Sequence, residues 1–357
     1  MDKFRAFLAR KNIEISLRRY GIDALGAMAQ GLFCTLLIGT ILDTLGRYCG
    51  VGFLAATIVT ANNVNYTIGG LASAMVGPAM AVAIGSALKC PPMVLFSLIP
   101  VGWAANLLGK AGGPLAVLVV AIIAAEIGKA VSGETKVDLL VTPIVTILAG
   151  VGVAYLVAAP IGAAASAFGA LIRWATELHP FEMGILISVI MGIVLTLPIS
   201  SAAICAALGL TGLAGGAAVA GCCAQMVGFA VMSFRENRWG GLVSQGLGTS
   251  MLQMGNIVRN PRIWLPVIAA SAVTGPIATC VFRLEMNGAA VNAGMGTCGL
   301  CGPIGVVTGW ASTGKAATAF DWIGLVLVAI VLPAVLGWGF GAVARRIGWI
   351  KEGDLKL

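Results

Sequence analysis

From Met183 to Gly216 the chain carries no charged side chain. The apolar part of that stretch is longer than the roughly 20 residues a membrane-spanning helix needs. Its middle is interrupted all the same. Pro198 removes a backbone donor and crowds the preceding turn, and Ser200 and Ser201 follow at once. In hydrocarbon a broken helix persists only where protein or a water-filled cavity surrounds it. Breaks of this kind near the membrane midplane are how many transporters turn half-helix ends toward a solute. A kinked helix packed against its neighbours is the alternative. Ser200 and Ser201 are solute-binding candidates if the break is functional.

Composition extends that constraint to the whole chain. Hydrophobic residues make up 59% and charged residues only 10% of it, against roughly 25% charged in soluble domains. The mean hydropathy is +0.99. Glycine supplies 49 of 357 residues, roughly twice its usual ~7% share, which suits helices that approach closely in a membrane. The expected fold is therefore an all-α, polytopic membrane protein. It has roughly ten transmembrane or half-membrane helices and re-entrant Gly-rich loops.

The net charge of +8 does not point to nucleic acid. The basic residues gather at the N-terminus, around 235–262 and near the C-terminus, where cytoplasmic loops carry them. Both termini are expected on the cytoplasmic side, with the lipid bilayer as the main surrounding. Residues 1–21 mix Phe4, Phe7 and Leu8 with Arg5, Arg10 and Lys11. They read as a cytoplasmic amphipathic helix on the inner leaflet, or equally as a topology signal alone. Residues 22–344 then form a single transmembrane domain, and 345–357 a cytoplasmic tail. Most of the nine cysteines sit in apolar runs and read as small buried side chains. Cys298-Gly-Leu-Cys301 has redox or metal spacing but lacks a second ligand pair. Neither a metal nor another cofactor is expected.

Along the chain, Asn62, Asn63 and Asn65 separate two apolar runs and read as a loop. Residues 126–138 form a polar connection of nearly balanced charge, read as solvated. The next span, 139–160, carries Thr142-Pro143, read as a helix break. Residues 173–184 hold His179, the only histidine, beside Pro180, with Glu182 two residues beyond that proline. An imidazole and a carboxylate opening into the broken span can hydrogen-bond a polyhydroxylated solute, or can form an interfacial pair with no ligand.

Two later segments are polar and glycine-rich. Gln225 stands among apolar neighbours, and residues 235–264 carry Ser244, Gln245, Thr249, Ser250, Gln253 and Asn256. Trp239 and Trp264 read as interfacial anchors of that segment. A connection this long and patterned is usually functional or mobile. Residues 283–303 add Asn287, Asn292, Gly296 and Thr297 among successive glycines that can turn backbone groups toward a ligand. A re-entrant loop lining a cavity is the expected form. No Walker loop, HExxH pair or supported Ser/His/Asp set is present.

Several long strings, in order, carry a resemblance. They are SGETKVDLLVTPI (132–144), PFEMG (180–184), LTLPISSAAI (195–204), AQMVGFAVMSFREN (224–237), QGLGTSMLQ (245–253), NIVRNPRIW (256–264) and NAGMGTCGL (292–300). They resemble the membrane-embedded IIC subunits of the phosphotransferase system, in the short stand-alone branch that includes membrane regulators of toxin expression. The resemblance implies a bacterial cytoplasmic-membrane permease that occludes a sugar or polyol, acts as a homodimer, and presents a solute hydroxyl to a separate phosphorylated IIB protein. By that analogy Glu182 and His179 are the catalytic candidates. Ser200, Ser201, Gln225, Gln245, Thr249, Asn287, Asn292, Gly296 and Thr297 are the substrate-binding candidates. Arg235, Arg238, Arg259 and Arg262 offer a basic face to the donor, or merely set topology. The glutamate motif of the glucose and lactose branches is absent. The alternatives are a membrane sensor or regulator that keeps the fold without phosphotransfer, and a transporter of a non-sugar solute.

Overall fold

The structure is a computed structural model that describes residues 2–48, 51–61 and 63–357. It is 80% helical. Six helical stretches are long and apolar enough to cross a membrane: Arg19–Arg47, Pro92–Val131, Asp138–Thr176, Gly212–Met232, Pro261–Val281 and Ala319–Arg346. Ile68–Ala74 and Val76–Ala87, bent by 53° at their junction, together make a seventh, and Pro180–Thr196 is a shorter apolar helix. The protein is an all-α polytopic membrane protein. Its one β element among the described residues is a hairpin of Val59–Ala61 and Val64–Tyr66. Asn63 turns it with φ +61, and Asn65 sits opposite Thr60, whose hydroxyl it accepts at 2.7 Å. Asn62 lies outside the described residues.

The chain divides into two compact units, Met1–Asp43 with Gly52–Ala164, and Thr44–Val51 with Ala165–Leu357. In the first, Lys110 at φ +47 turns Pro92–Gly109 into Gly113–Val131. The two helices fold back on each other, so that Gly128 meets Val94. Gly77 and Gly102 touch backbone to backbone, the close approach that small residues permit between membrane helices.

The Gly113–Val131 helix swallows the start of what the sequence presents as a solvated connection. Lys129 is 2% exposed, and its Nζ stands 2.8 Å from Glu126 Oε2. It also donates to the Leu88 carbonyl at 3.2 Å, which receives Arg19 at 2.7 Å as well. Two cations thus satisfy the free carbonyl end of Val76–Ala87, where the helix dipole is negative. The helix at the N-terminus covers Asp2–Arg10. Its end is tied to the 132–137 loop by ion pairs from Arg10 and Lys11 to Glu134.

Asp138–Thr176 runs as one 39-residue helix. The break expected at Thr142-Pro143 does not occur, and Pro160 interrupts nothing either. Pro143 lies in the second turn, where few intrahelical bonds precede it. The Thr142 hydroxyl bonds back to Asp138 at 2.6 Å, and Thr146 bonds back to the Thr142 carbonyl at 2.7 Å. Hydroxyls placed this way let membrane helices carry proline.

The second unit is organised on Gly212–Met232, which lies 89% buried. Its sequence is apolar all round, as a helix surrounded by protein requires. Pro180–Thr196, Leu265–Pro276 and Leu332–Arg346 pack around it. A Cβ on Gly221 would fall 1.9 Å from the Ser188 carbonyl oxygen, so only glycine allows the Pro180–Thr196 helix this close.

Candidate functional site

The predicted break at Pro198 is present. Pro180–Thr196 ends, Leu197 adopts extended angles, and a tight turn brings Ile199 N–H to the Leu197 carbonyl at 2.7 Å. Ser200 then caps a new helix, Ser201–Leu208, by accepting Ala203 N–H at 3.2 Å. The 283–303 stretch meets the break. Ser201 Oγ donates to the Gly294 carbonyl at 2.6 Å. Gly296, at φ +53, lays its backbone on Cys222 and Cys223 of the Gly212–Met232 helix, where any side chain would collide. Thr297 donates to the Gly246 carbonyl and is buried. Asn287 accepts Gly212 N–H at 3.1 Å, beside a two-bond bridge between Gly212 and Met286. The loop is therefore a packed piece fixed to the central helix through Gly212 and through Cys222 and Cys223.

Gln225, at 0% exposure, forms the centre of a sealed polar knot. Its Oε1 accepts the Trp264 indole N–H at 2.9 Å and the Thr196 hydroxyl at 3.3 Å. Its Nε2 donates to Ser271 Oγ at 3.3 Å. Thr196 Oγ1 lies 2.8 Å from Ser250 Oγ. Three stretches of chain meet at this one amide, and Ser250 adds a fourth through Thr196. Trp264, expected as an interfacial anchor, is half-buried and turns its N–H inward; Trp239 is 71% exposed.

A second knot lies at the other end of the same segment. Gln245 Nε2 donates to Ser233 Oγ at 2.7 Å and to the Gly241 carbonyl at 3.0 Å. Gln253 donates to Gln245 Oε1 at 2.9 Å, and Asn256 to Gln253 Oε1 at 2.7 Å. The free ends of these amides hold the C-terminal residues: Gln253 and Asn237 take the Leu355 carbonyl, and Asn256 takes that of Lys356. Leu355 is fully buried. Thr249 and Ser250 connect the two knots, Thr249 accepting Met251 N–H at 3.2 Å.

The structure thus gathers Ser201, Gln225, Gln245, Thr249, Gly296 and Thr297 around the central helix. Asn292 packs on Gly305, half-buried, and Ser200 and Asn287 are half-buried as well. His179 and Glu182 stand apart. His179 precedes the Pro180–Thr196 helix without capping it, Glu182 lies in its first turn, and both are exposed. At 1.5 Å per residue, about 20 Å of helix separates Glu182 from the break. Sequence reading missed Thr196, Ser271 and Trp264. Thr196 and Ser271 are single polar groups in apolar runs, revealed only by distant partners, and Trp264 reads in the sequence as an interfacial anchor. Among the described residues no cluster of three or more His, Cys, Asp or Glu is arranged to hold a metal. Glu126 alone has buried side-chain oxygens without a hydrogen-bond partner in that set, and its charge is met by Lys129.

No curated protein and no solved structure gives a match to the chain. A family model does: the one described as "Phosphotransferase system, EIIC" matches residues 22–357. That family supplies the membrane permease-type component of sugar transport and works, in general, with IIB proteins. With nearly its whole length matched, the chain belongs to the phosphotransferase-system EIIC family.

Proposed function

We propose that this chain binds and translocates a sugar or polyol, and that a separate phosphorylated IIB protein phosphorylates it. The attacking solute hydroxyl forms the new P–O bond as the bond to the IIB residue breaks, and the hydroxyl proton leaves to a base. The observation that supports this reading most is Gln225. A membrane-embedded amide at 0% exposure, in reach of three side chains beside a broken helix, is costly to keep unless polar contacts are needed there. Residues 22–344 act as one transmembrane domain in this reading. The arginines at 235, 238, 259 and 262 face the cytoplasm with both termini, and two copies form the working unit.

The test is uptake and phosphorylation of a labelled sugar and polyol panel in proteoliposomes, with and without phospho-IIB, for wild type, Gln225→Leu and Glu182→Gln. Loss in Gln225→Leu with Glu182→Gln active places binding at the knots. The reverse pattern moves the site to the start of Pro180–Thr196 and restores Glu182 and His179 as its acid–base pair. Binding without phosphorylation, with phospho-IIB supplied, favours a sensor that keeps the fold. The self-satisfied amide knots give that second reading its support. Uptake of organic acids instead of sugars removes the sugar reading.

A further inference from the structure

Beside the end of the central helix lies a cleft of about 590 Å³, within the size range of small-ligand sites. Its walls come from Gly212–Met232 and the last turns of Ala319–Arg346. Phe234, Trp338 and Gly341 line it on the apolar side, and Arg235, Arg345 and Arg346 on the polar side. Arg345 is already committed: it grips Glu236 at 2.8 and 3.0 Å and reaches the Met232 carbonyl at 3.2 Å. Glu236 cancels its charge. Arg235 and Arg346 make no ion pair or hydrogen bond among the described residues and are exposed. Two uncompensated guanidinium groups therefore frame an apolar slot.

We infer that this cleft binds an anionic phospholipid, with the headgroup phosphate on Arg235 and Arg346 and the start of an acyl chain against Trp338 and Phe234. Guanidinium forks match phosphate oxygens. Both helices are long and apolar enough to cross a bilayer, so their ends fall at headgroup depth, where basic pockets between helices recognise anionic lipids. The apolar wall decides for a lipid over a soluble phosphate. Trp338 is 65% exposed and offers an acyl chain a ring face that a free anion would not use. The site lies apart from the polar knots and does not depend on what they bind.

The experiment uses the full chain in neutral detergent, titrated with phosphatidylglycerol or phosphatidylcholine and read by native mass spectrometry. Two arginines near an anionic headgroup predict roughly thirty-fold tighter retention of phosphatidylglycerol. Arg235→Gln with Arg346→Gln should bring it to the phosphatidylcholine level, and Arg346→Gln alone part of the way. Arg235→Lys with Arg346→Lys should keep most of it. The glutamine variants should melt as wild type does in lipid-free detergent, since neither arginine has a partner to lose. Equal retention of the two lipids, or undiminished phosphatidylglycerol in the double glutamine variant, overturns the assignment. So does full displacement of the lipid by an equal concentration of inorganic phosphate, which would make this a soluble-anion site.

Discussion

Gln225→Leu isolates the cost of opening the central knot. Leucine is close to glutamine in volume, so packing on Gly192 is kept and only the amide is lost. Of the three partners, Thr196 retains Ser250 at 2.8 Å, and Ser271 retains the Val267 carbonyl at 2.9 Å. The Trp264 indole N–H retains nothing that accepts it among the described residues. The substitution therefore orphans one half-buried donor, worth up to about 1–3 kcal/mol. Hydrogen bonds measured inside membranes set a lower figure of about 0.6 kcal/mol. Trp264→Phe removes the donor itself, so the double variant should be less destabilised than the sum of the two single ones. A coupling of about 1 kcal/mol or more is the expected result, read from reversible unfolding in detergent. Strict additivity would refute the reasoning, because two residues that share a bond cannot be independent. A wild-type stability for Gln225→Leu would refute it as well.

Lys129→Met takes away the cation paired with the buried Glu126, so stability should fall by about 3–5 kcal/mol. Adding Glu126→Gln should recover most of that, and unfolding of the three variants checks it. The Glu134 carboxyl is held below the usual glutamate value, chiefly by its hydrogen bond from Lys11 and also by the charge of Arg10. A depressed folded pKa means that its contribution is present above about pH 4.3 and disappears as pH falls through the lower folded value. The gap in melting temperature between wild type and Glu134→Gln should therefore close on acidification. Leu355→Asp puts a charge where the side chain is fully buried and should release the 349–357 segment, seen as faster hydrogen exchange there and in 253–260.

What the sequence disclosed follows from how local each cause is. Pro198 broke its helix because the two residues around it also favour leaving the helix: Leu197 turns extended and Ser200 caps the restart. Pro143 and Pro160 carry the same chemistry and broke nothing, since back-bonding hydroxyls and small neighbours absorb them. The glycine-rich 283–303 stretch was legible as a packed loop because its composition suits neither lipid nor water. Its docking on Cys222 and Cys223 was not, because that depends on a helix sixty and more residues earlier. Lys129 looked solvated for a similar reason. Its burial comes from the Leu88 carbonyl and Glu126 meeting it in space, and no periodicity in residues 126–138 announces a helix end forty residues away.

The polar knots also bear on which solutes such a core can accept. In this conformation the amides of Gln225, Gln245, Gln253 and Asn256 bond to the protein's own groups. A ligand that enters must break some of those bonds. A hydroxyl offers both a donor and an acceptor, so each broken protein bond can be replaced by one to the ligand. The exchange costs little, because a typical hydrogen bond is worth only about 0.5–1.5 kcal/mol net. An apolar solute replaces none of them and leaves buried amides unpaired, at about 1–3 kcal/mol apiece. Discrimination on that basis grows with every amide exposed and rejects the solute that lacks hydroxyls more strongly than it rewards any single contact. Under the proposed function, a core closed on itself by amides suits polyhydroxylated molecules without holding an empty polar cavity in the membrane.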